Sequence, residues 1–228
     1  MMNHVPLLVS GVLLLAALAG CGPAPAGRDG PTRSVYTRPA RTVDYFQHGS
    51  AGSWQVFTAP GEAALFRVSD GALEGAVVAD RGYIWSLNGA AHTDVIITAT
   101  VQQTQGADGS AFGLMCRADS GGNGYYFLVG SDGTFSISVA TDARGDLFQL
   151  VPWQASGAVR RGKQPNSLRA VCVENYLALY VNDVFVAETF DDEFTQGQAG
   201  VALGAVQATA WARFDDIAVQ DAYLAGPR

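Results

Sequence analysis

Charge is scarce in this chain, and positive charge scarcer still. Asp, Glu, Lys and Arg supply 15% of its 228 residues, against about 25% in an ordinary soluble domain. Lys and Arg number 14 against 21 Asp and Glu, which leaves a net charge of −7. Beyond Arg160, Arg161 and Lys163 there is no basic cluster. Phosphate backbones need a basic footprint, so no nucleic acid is expected as a partner. Histidine is nearly missing, since only His48 and His92 follow the first few residues. No Gly-x-Ser-x-Gly turn is present, which removes the usual setting for a serine nucleophile, and both histidines read as loop residues. After Cys21 only Cys116 and Cys172 remain, two sulfurs with no partners beyond His48 and His92, and no metal ligand set is assigned. Nor does any segment after residue 43 carry a helical stripe, or any 20–50-residue repeat appear.

Apolar sequence takes the place of charge, first at the N terminus. Val5 to Leu18 is uninterrupted by a charged residue and leads into Leu18-Ala19-Gly20-Cys21. An apolar core of ~7–15 residues before a small-residue cleavage site is a secretory signal. A membrane span needs ~20 apolar residues, so the run is too short to stay in a bilayer. The tetrapeptide ending in Cys21 resembles the lipobox of bacterial lipoproteins. That resemblance implies a signal peptide over residues 1–20, cleavage before Cys21, a diacylglyceryl group on its thiol and an acylated new amino terminus. Each buried methylene contributes about 0.8 kcal/mol, so two or more chains anchor firmly. Met1-Met2-Asn3-His4 departs from the pattern in having no Lys or Arg.

Residues 21–42 read as a lipidated, flexible tether. Pro23, Pro25, Pro31 and Pro39 punctuate it, Gly and Ala dominate, and no apolar periodicity appears. About 20 such residues reach roughly 65 Å when extended. The tether holds Arg28, Arg33, Arg38 and Arg41 against Asp29 alone, whereas the remainder carries ten basic and twenty acidic residues. Anionic headgroups attract the first and repel the second, which stands the domain off its membrane.

Residues 43–228 predict one all-β domain. Asp94 to Gln102 alternates, with Val95, Ile97, Ala99 and Val101 on one side and Thr98, Thr100 and Gln102 on the other, the pattern of a half-buried strand. Further apolar runs recur about every ten residues from Ala111 to Val219, with weaker ones at Ala64–Val68, Ala72–Val78 and Tyr83–Ser86, as in a sandwich or barrel. Ser131-Asp132-Gly133-Thr134 and Asn182-Asp183 supply hairpin turns. Phe214 has the opposite parity from Ile217 and Val219, so a β-bulge is predicted near Asp215-Asp216.

From Gly113-Leu114-Met115-Cys116-Arg117 through Asn123-Gly124-Tyr125-Tyr126-Phe127, Leu179-Tyr180-Val181-Asn182, Gly197-Gln198-Ala199-Gly200-Val201 and Phe214-Asp215-Asp216, the chain resembles the concanavalin A-like jelly rolls. Within them it is similar to the 3-keto-disaccharide hydrolase-like and laminin-G-like families. The resemblance implies a two-sheet antiparallel jelly-roll sandwich whose concave sheet often carries the ligand site. Such folds host enzymes, lectins and spacers alike. The Glu-x-Asp-x-x-Glu run of laminarinase-type relatives is missing here, which turns the expectation away from glycoside cleavage.

Cys116 and Cys172 form an even pair on inward strand faces in an oxidising compartment. They predict a disulfide, with two buried free thiols as the alternative. Calcium is a candidate cofactor, since Asp119 to Asn123 and Asp191-Asp192-Glu193 are oxygen-rich, though turn formation explains both. Sugar rings stack on aromatic faces, and Tyr83, Trp85, Tyr125, Tyr126, Trp153 and Arg117 are contributors to weigh. Alternation points Arg117 and Tyr126 away from Cys116 and Phe127, so these two, with Trp153, are expected on an exposed ligand-binding face. The expected protein is a lipid-anchored module on the extracytoplasmic face of a bacterial envelope, binding a glycan without catalysis. An assembly lipoprotein with an envelope protein partner, and a glycoside-acting hydrolase or lyase, are the alternatives.

Overall fold

In a computed structural model, residues 30–44, 46, 49–142 and 146–225 are described. Cys21, the signal segment and His48 lie outside them. Among the described residues the chain is a two-sheet antiparallel sandwich with no α-helix, the jelly-roll architecture its strand periodicity calls for.

The larger, nine-stranded sheet runs β13 (Val184–Phe190), β12 (Tyr176–Val181), β11 (Asn166–Val173), β6 (Val95–Gln105), β15 (Ala210–Leu224), β4 (Ala72–Val77), β3 (Ala64–Ser69) and β2 (Phe57–Thr58), with β1 (Val35–Asp44) laid on β15. The smaller, six-stranded sheet runs β10 (Phe148–Ala155), β9 (Thr134–Ala140), β8 (Gly124–Gly130), β7 (Ala111–Ala118), β14 (Gly197–Gly204) and β5 (Tyr83–His92). His92 therefore ends a strand instead of sitting in a loop, and its Nε2 lies 3.0 Å from Asn88 Nδ2.

Alternation does what it should in β6. Val95, Ile97, Ala99 and Val101 are buried against Leu114, Phe127 and Ile137 of the facing sheet in one continuous core. The disulfide is formed: Cys116 of β7 meets Cys172 of β11 with Cα atoms 6.7 Å apart, which ties the two sheets through that core. Asn182 and Asp183 both take positive φ, 50° and 64°, as a two-residue hairpin turn requires. The Asn182 side chain holds that geometry without glycine, accepting from Ser167 N at 3.0 Å and donating to Ala158 O and Asn166 Oδ1, each at 2.8 Å.

One finding alters the expected organisation, and a second accounts for it. Residues 35–42, assigned to the tether, belong to β1, which pairs with Ile217 to Leu224 of β15. Its periodicity is masked by Pro39, which has no N–H to donate; the register shifts between Thr37 and Arg41, and the strand lies at an edge, where proline is tolerated. The predicted bulge is present, and it explains why β1 is there. Register on β6 slips between Asp215 and Ala218, Asp216 has φ 51°, and at that point the other edge of β15 changes partner from β4 to β1.

Candidate functional site

The outer face of the smaller sheet is lined by its own side chains. Ala111, Ala140 and Ala202 form a floor of small residues, with Met115, Tyr126 and Leu128 packed among them, all buried. Tyr83 and Trp85 of β5 form one wall, and Leu147 with Trp153 of β10 the other. Flat strands at the two edges of a six-stranded sheet would stand roughly 24 Å apart. Tyr83 and Trp153 nonetheless line one cavity of about 200 Å³, so this sheet is curled until its edges approach each other.

The exposed face expected of Arg117 and Tyr126 is not observed, for they are 2% and 1% exposed. Arg117 takes a positive φ of 52° at the end of β7 and donates to Thr93 O at 2.9 Å, Phe194 O at 2.8 Å and Asp94 Oδ1 at 3.1 Å. Burial pushes its pKa down, and Asp94 acts in the opposite direction. Its guanidinium thus joins the sheets at one end of the sandwich. Tyr126 lies beneath the aromatic wall, its ring 5.9 Å from that of Tyr83 in an edge-on arrangement, and its hydroxyl donates to Gly122 O at 2.6 Å. Of the three expected residues only Trp153 reaches solvent, partly exposed on the rim.

Beside this wall lies a cavity of about 370 Å³ lined by Gln55, Phe57, Arg81, Tyr83, Ile84 and Trp85. Tyr83 and Trp85 share parity within β5, and Arg81 precedes the strand, beyond Gly82 at φ 74°. Two glycines seat the rings. A Cβ at Gly122 would stand 2.6 Å from Trp85 Cη2, and one at Gly204 would stand 2.8 Å from Tyr83 Cε1. The opposite side comes from the other sheet: Gln55 is pinned along β5 by its N–H to Leu87 O at 3.0 Å and by Ser86 Oγ donating to Gln55 O at 2.7 Å, which carries Phe57 to the rim. Burial pushes the Tyr83 phenol up to about 12. Among the described residues no protein group bonds the Tyr83 hydroxyl, the Gln55 amide or the Arg81 guanidinium. The lining has no carboxylate, imidazole or thiol. Its chemistry is aromatic faces, one cation and neutral hydrogen-bonding groups, which suits recognition of a polar molecule with an apolar face.

A larger trough, about 790 Å³, opens between the edge strands β10 and β13 along Phe135, Val151, Phe185 and Phe190. Its one charged lining residue, Glu188, already accepts from Tyr176 Oη at 2.9 Å and Thr32 N at 2.7 Å. The trough is the larger and also carries open polar side chains, Gln154 and Thr189; the aromatic cavity differs in setting Tyr and Trp ring faces beside a cation, a combination suited to a sugar ring. The oxygen-rich loops are occupied by their own turns. Asp119 accepts from Gly121 N, Asn123 N and Asn123 Nδ2, and Asp191 from Tyr125 Oη and Glu193 N. Among the described residues no group of three or more His, Cys, Asp or Glu is placed to hold a metal ion.

Tyr83 and Trp85 were legible as candidates. Arg81, Gln55 and Phe57 were not, since Arg81 and Gln55 lie outside the strands and Phe57 belongs to a two-residue one.

No protein-family model matches the chain, and no curated protein matches it in sequence. Its backbone is similar to several solved structures. The carbohydrate-binding module CBM66 from Bacillus subtilis superposes with a TM-score of 0.60 at 17% identity, covering 74% of this chain and 96% of that one. A Bacillus subtilis protein of unknown function with a galectin-like fold gives 0.59 at 14% identity, covering 83% and 98%. The Bacillus licheniformis β-glucanase gives 0.56 at 8% identity, covering 79% and 97%. At such identities the likeness is one of fold: a concanavalin A-like, galectin-like jelly roll.

Proposed function

We propose that this protein is a lipid-anchored, extracytoplasmic module that recognises a glycan without chemistry of its own. The observation that carries the reading is the cavity in which Tyr83, Trp85 and Phe57 offer ring faces while Tyr83 Oη, Gln55 and Arg81 keep their hydrogen bonds free. A pyranose presents C–H faces to the former and hydroxyls to the latter. The fold's occurrence in a carbohydrate-binding module and in a glucanase supports the reading. Anchoring rests on the lipobox-like Leu18-Ala19-Gly20-Cys21, and a bacterial cell envelope is the setting proposed with it.

Calorimetry against glycans identified on an array tests recognition. Trp85→Ala is expected to weaken the captured glycan at least about tenfold, roughly 1.4 kcal/mol. Unchanged affinity would refute this site. For the anchor, Cys21→Ser should move the protein from the membrane to the soluble fraction, and intact-mass measurement of the wild type should show acyl chains on Cys21.

A second reading, a structural lipoprotein docked on an envelope protein, is favoured by the open trough between β10 and β13, whose lining includes half-exposed Phe190. Site-specific crosslinkers at Phe190 should then capture one stable neighbour in intact cells.

A further inference from the structure

Arg81 is one of the arginines that this acidic protein leaves without a carboxylate partner among the described residues. Arg67 holds Glu74 at 2.7 Å, Arg117 holds Asp94 at 3.1 Å and Arg213 holds Asp215 at 3.4 Å. Arg169 lies over the Tyr180 ring at 4.0 Å. Arg81 has none of these partners among the described residues, not even its chain neighbour Asp80, although the protein carries a net charge of −7. It is also the only charged residue lining the aromatic cavity. The setting strengthens whatever charge pair forms there. Arg81 itself is exposed, but a ligand seated against Phe57, Tyr83, Ile84 and Trp85 displaces water from the cavity beside it, and attraction between opposite charges grows as the local dielectric falls. A planar guanidinium also matches a carboxylate or sulfate through two parallel hydrogen bonds.

We infer that the cavity selects acidic saccharides: the sugar ring packs on Trp85 and Tyr83, its hydroxyls meet Gln55 and Tyr83 Oη, and an anionic substituent on the ring pairs with Arg81. This rests on the glycan reading above and narrows it to a substrate class. Long-range repulsion from the acidic body confines the preference to ligands that reach the cavity, where one uncompensated cation dominates at short range.

Calorimetry on the intact domain with three tetrasaccharides tests it: a galacturonate oligomer, its carboxyl-reduced neutral counterpart, and a sulfated galactan oligomer. At least one anionic probe should bind tenfold or more tightly than the neutral one, and the difference should shrink several-fold when sodium chloride is raised about tenfold. Which anionic probe wins assigns the group as carboxylate or sulfate. Arg81→Gln should abolish the anionic preference, bringing the anionic probes to the affinity of the neutral one, and Trp85→Ala should weaken all probes that bind, with thermal melts confirming that both variants fold. Equal binding of neutral and anionic probes, or an anionic preference that survives Arg81→Gln, overturns the selectivity and leaves glycan recognition standing. Failure of every saccharide to bind overturns both.

Discussion

Tyr83 keeps its proton longer than an exposed tyrosine because the phenolate would have to form where water is largely excluded. An unfolded chain ionises its tyrosines near pH 10, whereas the folded state holds that proton until about pH 12. Between those values the folded state binds more protons than the unfolded one, so stability falls as pH rises. The stability linked to this group is complete below about pH 10 and is lost through the window above it. Burial drives Tyr125, Tyr126 and Tyr176 in the same direction and adds to the fall. Thermal melts should give a flat Tm from about pH 8 to about pH 10 and a decline beyond it, less steep in Tyr83→Phe. A Tm indifferent to pH across that window would contradict the buried setting assigned to these phenols. At this scale sequence reading identified residue types better than their surroundings. Alternation turned Tyr126 away from Phe127, but it carries no information on the sheet curvature that buries it; at Arg117 a positive φ of 52° breaks the alternation, and Thr93, Asp94 and Phe194 bury the guanidinium at the end of the sandwich.

Among the elements, β15 is the one on which the others depend, since it pairs with β6 along one edge and with β4 and then β1 along the other. The parity slip between Phe214 and Ile217 was readable in the sequence because a bulge is a local insertion, and Asp216 accepts the positive φ it needs. β1 was not readable. Pro39 and the arginines imitate a linker, and its apolar content, Val35, Tyr36 and Val43, becomes meaningful only against a partner strand far along the chain. Tyr36 stacks on Tyr223 with ring centroids 5.8 Å apart, and Arg38 lies 5.6 Å over the Tyr223 ring. A version beginning at residue 30 is therefore expected to melt like the full domain, whereas one beginning at residue 45 should melt several degrees lower, at roughly 2–4 °C per kcal/mol lost in a domain of this size. Identical melting of the two truncations would return residues 35–42 to the tether.

For the molecule as a whole, the question is what holds two sheets together when one of them is curled tightly around its own side chains. The shared core supplies most of the cohesion, and the Cys116–Cys172 bond adds a covalent tie between β7 and β11 over a sequence separation of 56 residues. Closing a loop of that length restricts the unfolded chain by about 4 kcal/mol in the chain-entropy view. Cys116 sits one residue from Arg117, whose bonds to Thr93, Asp94 and Phe194 close the same end of the sandwich. The covalent tie and the buried guanidinium therefore reinforce one end, while the aromatic cavity is built from the β2 and β5 edges. The paired variant Cys116→Ala, Cys172→Ala should then lower Tm by about 8–16 °C, from roughly 4 kcal/mol at 2–4 °C each. Because the tie and the cavity are set on different parts of the sandwich, glycan affinity measured well below the new Tm should stay within a few-fold of wild type. Calorimetry paired with thermal melts checks both halves. A variant that melts normally would show that the unfolded chain is not restricted by the tie, and one that melts lower and also loses binding would show that the disulfide shapes the cavity as well as securing the sheets.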